Sequence, residues 1–225
     1  MHTLVRGTFF GVDVVGSTAP VRTDRSLLTV RRVLYDALEH ALRRAGFQPG
    51  ACDLLDRGDG IMCVLAAELE PGLVVDVVAP ALAVALRGHN RSAGPAEEIR
   101  LRAVLHTGVT AVDSRGYIGK DISLAFGLLD APELRRAMAE GSADLVLAVT
   151  DEAWARLSTR QPPALQDEFV HAVLSYRDRS TPVRIVALPT HSHAVDQLPR
   201  SAHRDTRPPL PRTTRPALRD EDTTS

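Results

Sequence analysis

The sequence predicts an α+β fold with a largely antiparallel sheet. Three observations carry that reading. Strand-like and helix-like segments interleave along the chain, two strand pairs are joined by short turns, and 225 residues with 44% apolar content suffice for one sizeable core.

The first segment, Thr8 to Val15, is an apolar run ending in a Gly-Ser-Thr turn, as a buried strand should be. From Leu27 to Ala45, apolar residues at helical spacing (Leu28, Val30, Val33, Leu34, Leu38, Leu42) lie opposite arginines, which predicts an amphipathic helix. Cys52–Leu55 and Ile61–Leu65 flank Asp56-Arg57-Gly58-Asp59-Gly60 and read as a β-hairpin. Pro71 to Arg87 reads as helix, kinked or restarted at Pro80. Ile99 to Leu105 alternates as a strand, with a His106-Thr107-Gly108 turn and a short strand Val109–Val112 after it. Ile122–Leu129 and Pro132–Ala139 read as helices. Leu145–Val149 reads as a strand and Asp151 caps a helix through Leu157. Val170–Tyr176 and Val183–Leu188 form a last hairpin. No internal repeat is visible.

From Pro189 onward the chain carries six prolines, six arginines and five acids but no aromatic residue. Little there would offset the entropy of ordering, so residues 1–188 are expected to form the domain and 189–225 a disordered Pro/Arg/Thr-rich tail.

Composition excludes several classes. The formal net charge is −1, which argues against nonspecific nucleic-acid binding. All 27 basic residues except Lys120 are arginine, a skew that reflects genome composition. Two cysteines rule out a disulfide scaffold or a four-cysteine zinc site. Cys52 and Cys63 face each other across the hairpin if it is tight, but in a reducing compartment they read as small core residues. Met1–Arg6 lacks the features of a secretory signal, and the most apolar stretch, Leu73–Leu86, is short for a membrane span and holds Asp76 and Pro80. A soluble cytoplasmic protein without membrane or nucleic-acid partners is expected. No Gly-x-Ser-x-Gly elbow or Walker-type loop is present. His106 reads as a structural residue at a strand end, Lys120 as a surface residue within reach of phosphate, and Trp154 as packing a helix on the sheet.

The chemistry-bearing feature is a pair of acids at strand ends. Asp13 closes an otherwise apolar strand, and Asp59 sits in the turn of the next hairpin. If those strands are neighbours, both carboxylates reach one edge and can share hard metal ions such as Mg²⁺. Gly16-Ser17-Thr18 beside them offers backbone N–H groups, a plausible phosphate cradle at a helix start. Spacing alone equally allows a cap acid and a turn acid.

Four blocks sharpen this reading. Phe10-Gly11-Val12-Asp13-Val14-Val15-Gly16-Ser17-Thr18 resembles the opening motif F-x-D-I-x-G-S/F-T of the class III nucleotidyl cyclases, with one extra residue before the aspartate. Arg57-Gly58-Asp59-Gly60-Ile61-Met62 is similar to their second metal motif. Arg102 to Gly108 resembles their R-x-G-I-H-T-G strand. Gly116-Tyr117-Ile118-Gly119 with Ala125 to Asp130 resembles the loop and helix that carry catalytic residues. The blocks stand in family order between Thr8 and about Leu188.

The resemblance implies a ferredoxin-like β-α-β-β-α-β core and a head-to-tail dimer. It also implies two Mg²⁺ or Mn²⁺ ions held by Asp13 and Asp59, with the Val14 carbonyl assisting, and a nucleoside triphosphate as ligand. Base-reading groups, and an Asn and an Arg for the transition state, would come from the other subunit. There this sequence departs from the pattern. The base-reading positions hold Leu55 and Gly116, the Asn position holds Ser123 and the Arg position holds Gly127. A late phosphate contact falls on Arg177 or Arg179. A divergent cyclase-like nucleotide- and metal-binding signalling domain, without cyclase activity alone, is therefore expected. One alternative is an active cyclase making a 3′,5′-cyclic nucleotide from ATP or GTP, as a homodimer or with a complementary subunit. Another is a scaffold acting through its tail.

Overall fold

The computed structural model describes residues 3–48, 50–66, 69–157 and 165–188. The tail from residue 189, including the His191-Ser192-His193 group, lies outside the described residues.

An eight-stranded sheet is built from β1 (Thr3–Val14), β2 (Cys52–Asp56), β3 (Gly60–Ala66), β4 (Leu101–Asp113), β5 (Gly116–Ile118), β6 (Leu145–Thr150), β7 (Val170–Tyr176) and β8 (Arg179–Leu188). Its order is β2-β3-β1-β4-β6-β8-β7, with β5 on the end of β4. Among the described residues, only β4 and β6 pair in parallel. The helices are α1 (Asp24–Arg44), α2 (Pro71–Leu73), α3 (Ala79–Asn90), α4 (Lys120–Leu129), α5 (Pro132–Glu140) and α6 (Asp151–Leu157). The first four strands, ordered β2-β3-β1-β4 with α1 and α3 as crossovers, form the expected ferredoxin-like core.

Strand β1 is apolar along its inner length because both its faces are covered. Phe10, Val12 and Val14 join α1 and α3 in the large core, while Phe9 turns to the opposite face, against Met62, Val64, Ile122 and Ala125. Helix α1 starts where its chemistry allows. Thr23 and Ser26 form a capping box, Asp24 lies in the first turn, and Arg43 and Arg44 lie in the last.

Three elements differ from the sequence reading. Strand β4 runs unbroken through His106-Thr107-Gly108, where a turn was expected. The glycine has another cause: a Cβ on Gly108 would lie 2.2 Å from Asp121 Oδ2, and the Val109 N–H donates to that same oxygen at 2.7 Å. A short strand, β5, escaped notice. Finally, α2, a π-helical turn at Val74–Val78 and α3 make one continuous run, Pro71–Asn90, which is long and apolar enough to cross a membrane where a shorter segment was expected. Its Val74, Val75, Val78, Leu82 and Leu86 are core residues. The widened turn just before Pro80 lets the proline enter at the start of α3.

Cys52 and Cys63 are free thiols, and the hairpin register sets them diagonally, with Cys52 opposite Leu65 and Cys63 opposite Leu54. Burial pushes the Cys52 thiol up to about 11, so it stays protonated. Trp154 packs edge-on against Phe169, at 4.9 Å between ring centroids.

Candidate functional site

The sheet brings Asp13 and Asp59 together. Asp13, near the end of β1, is in register with Gly60 on one side and Arg102 on the other. Asp59 precedes Gly60, and its carbonyl accepts the Val14 N–H at 3.0 Å. Gly60 has to be glycine, because a Cβ there would lie 2.5 Å from the Val12 carbonyl oxygen. The close backbone approach that positions both acids depends on it.

Arg102, which sequence reasoning did not connect with Asp13, forms an ion pair with it. The two side chains are only 11% and 16% exposed. Burial nevertheless holds the Asp13 carboxyl above its ordinary value; Arg102 opposes that rise, and the negative charges of Asp59 and Asp130 add to it. Asp59 and Asp130 thus lie near the Asp13–Arg102 pair, and Asp130 has a second guanidinium, that of Arg135, as its own partner. Among the described residues, no group of three or more His, Cys, Asp or Glu side chains is placed to hold a metal ion. An ion here would rest on two carboxylates and complete its shell with main-chain oxygens and water, a donor set that suits Mg²⁺ or Mn²⁺.

The adjacent Gly16-Ser17-Thr18 segment is a turn, and α1 begins only at Asp24, so it does not open a helix as the sequence suggested. Gly16 takes a left-handed conformation (φ 66°). Arg22, also missed from sequence, pins this turn by donating to the Gly16, Val15, Ala96 and Glu98 carbonyls at 2.8–3.3 Å. The Ser17 hydroxyl donates to Asp59 Oδ2 at 2.6 Å. The turn is thereby tied to the acid edge, with its carbonyls engaged.

The other candidate positions lie along α4 and its surroundings. Leu55 is half-buried among Phe9, Met62 and Ile122. Gly116 starts β5 at φ 123°. Ser123 lines a cavity of about 460 Å³, together with Lys120, Arg177 and Arg179. Gly127 is covered: a Cβ there would stand 2.3 Å from the Tyr176 ring. An aromatic ring from β7 fills the space beside this glycine, leaving no vacant slot. Arg177 sits at φ 51°, with its guanidinium 5.2 Å from the Tyr176 ring centroid. Gly127 opposite Tyr176 has no local sequence signal, since the two residues are 49 positions apart.

His106 is buried in the middle of β4, not at a strand end. Its Nδ1 lies 2.9 Å from the Thr150 hydroxyl. Desolvation lowers its pKa, chiefly by disfavouring the charged ring.

No protein-family model and no characterised relative matches the sequence. Solved structures do. The guanylyl cyclase Cya2 superposes with a TM-score of 0.59 at 14% identity, covering 81% of this chain and 91% of that one. A bacterial light-regulated adenylyl cyclase gives 0.60 at 12% identity, over 85% and 55% of the two chains. The guanylate cyclase domain of RhGC from Catenaria anguillulae, in complex with GTP, gives 0.54 at 14% identity, over 83% and 100%. The fold is that of the class III adenylyl and guanylyl cyclase domains. At such identities the likeness defines the fold and leaves the chemistry to the residues.

Proposed function

We propose that this chain is a cyclase-type signalling domain that binds a nucleoside triphosphate with Mg²⁺ or Mn²⁺ and does not cyclise it alone. The convergence of Asp13 and Asp59 at one sheet edge carries the binding half of this reading. A divalent ion there would be held by these two carboxylates and the Val14 carbonyl, and would supply charge neutralisation for phosphate oxygens. The Gly16–Thr18 turn is the neighbouring phosphate contact. The protein's own contribution is a pair of acids, Asp13 mostly buried and Asp59 exposed, oriented by the β1–β3 register and by the Ser17 hydroxyl.

The inactive half rests on the α4 face. Ser123 is shorter than an amide side chain, and Tyr176 occupies the space over Gly127 that a cationic clamp would need. Loss of a charged clamp on a transferring phosphoryl group costs on the order of 10²-fold or more in rate. Leu55 and Gly116 provide no side-chain donor to read a base. With its acid half intact, the domain could still serve in a head-to-tail pair with a cyclase-type subunit that supplies the clamp, which is the second reading.

Titration of the full chain with ATP and GTP, with Mg²⁺, with Mn²⁺ and in EDTA, tests the proposal. Metal-dependent binding that weakens at least tenfold in Asp59→Ala, with negligible cyclic product, is the expected result. Robust cAMP or cGMP synthesis by the purified chain would overturn the inactive reading, and absence of metal-dependent binding would overturn the other half.

A further inference from the structure

Charge is unevenly paired over the surface. The arginines of α1 are interspersed with Asp24, Asp36 and Glu39, and Arg31, Arg43, Arg135 and Arg184 each pair with an acid. The 460 Å³ cavity beside α4 is different. Arg57 of the β2–β3 turn, Lys120 at the start of α4, and Arg177 and Arg179 of the β7–β8 hairpin meet there from three distant segments. Among the described residues, no acidic side chain lines it and none of the four cations forms a salt bridge. The rings of Phe126 and Tyr176 hold Arg57 and Arg177 in place, at 4.2 and 5.2 Å, without neutralising them. Like charges gathered in this way repel until an anion of several charges joins them.

The chain itself carries such an anion. Beyond residue 188 the six arginines stand singly, whereas three of the five acids stand together as Asp220-Glu221-Asp222, the longest run of acids in the sequence. Carboxylates match the planar arginine fork. The distance also fits. Strand β8 leads from Arg179 at the cavity to Leu188, and its 10 residues rise about 30 Å. About 30 residues separate Leu188 from Asp220, and a linker of that length has a root-mean-square reach of about 30 Å. A linker whose reach matches the span gives the highest effective concentration, in the millimolar range. Exposed ion pairs are individually weak. At that concentration, however, a roughly millimolar intrinsic affinity keeps the segment docked about half of the time.

We propose that the acidic segment Asp220–Asp222 docks within its own chain onto Arg57, Lys120, Arg177 and Arg179, covering this side of α4. The contact goes beyond the metal-dependent reading of the Asp13 edge and does not rest on it.

Lys120 is the sole lysine of the chain, so its contacts can be read by carbodiimide coupling, which joins an amine directly to a touching carboxylate. Applied to the full chain and followed by peptide mass mapping, it should give an amide between Lys120 and Asp220, Glu221 or Asp222 within a single chain. The yield should fall about fivefold or more in half-molar salt. Arg57→Ala and Arg177→Ala, at exposed positions that leave the reacting pair intact, should each lower it severalfold. Asp220→Asn combined with Asp222→Asn should do the same for coupling at Glu221. The proposal is overturned if Lys120 couples only to acids of the folded domain, such as Asp121, or if the yield is indifferent to salt and to all of these variants. Products that join two chains, with none formed within one, would assign the cavity to a second copy and overturn it as well.

Discussion

Two ends of the same domain have been treated differently. At the Asp13 edge, the chemistry-bearing groups are fixed by backbone register: Asp13 is locked between Gly60 and Arg102, and Asp59 is tied in by its carbonyl and by Ser17. Along α4, the space over Gly127 is filled by Tyr176, and Lys120, Arg177 and Arg179 line the cavity beside Ser123. The contrast teaches that backbone register fixes one end of the domain while side-chain packing fills the other. An arginine placed at position 127 would meet the Tyr176 ring.

The largest expected effect is at the acid edge. Arg102→Ala leaves the mostly buried Asp13 carboxylate without its ion pair, beside Asp59 and Asp130. Breaking such a pair costs about 3 kcal/mol or more. Urea denaturation at pH 7 should show that loss, and added Mg²⁺ should recover part of it if the acids hold the ion. A loss that added Mg²⁺ leaves unchanged would separate the edge from any role in ion binding.

On the other face, Gly127→Arg should cost about 2–3 kcal/mol through overpacking against Tyr176. The cycle with Tyr176→Ala sharpens the comparison. If the ring is the obstacle, the double variant is more stable than the sum of the single losses predicts, by about 1 kcal/mol or more. Strict additivity would mean that the ring does not fill the slot. A smaller loss, about 1–2 kcal/mol, is expected for Gly108→Ala, whose methyl group would displace the Asp121 carboxylate from the Val109 N–H. That loss can be read by thermal unfolding.

What was legible in the sequence follows the same division. Asp13 and Asp59 could be paired because each sits beside a glycine-rich turn at the end of an apolar run, and local pattern sets strand ends. The α1 helix, the β2–β3 hairpin and the β7–β8 hairpin were legible for that reason. The long-range partners were not. Arg102 meets Asp13 across 89 residues, and Tyr176 meets Gly127 across 49; only the sheet order brings them together. Gly108 misled because glycine signals a turn, and here it serves a carboxylate contact within a continuous strand. The run Pro71–Asn90 was cut short because Pro80 reads as a breaker when the preceding π-helical turn is not known.

The smallest effect concerns the two buried titratable groups on the α4-facing side of the sheet, and their pH dependences run in opposite senses. Asp13 has its pKa raised in the folded state, so the protein binds more protons there than the unfolded chain does. Its contribution is most favourable below about pH 4 and is lost as pH rises through the raised value. His106 has its pKa lowered, mainly by desolvation, so the unfolded chain takes up the proton first. Its contribution is complete above about pH 6.5 and is lost as pH falls toward the lowered value. In His106→Asn, whose amide can take the place of Nδ1 beside Thr150, the stability loss between pH 7 and pH 5 should be shallower than in the wild type. Chemical denaturation at several pH values reads the difference in slope directly. An unchanged slope would show that the ring accepts its proton in the fold as readily as in the unfolded chain, and that the centre of the sheet is more open to water than its packing implies.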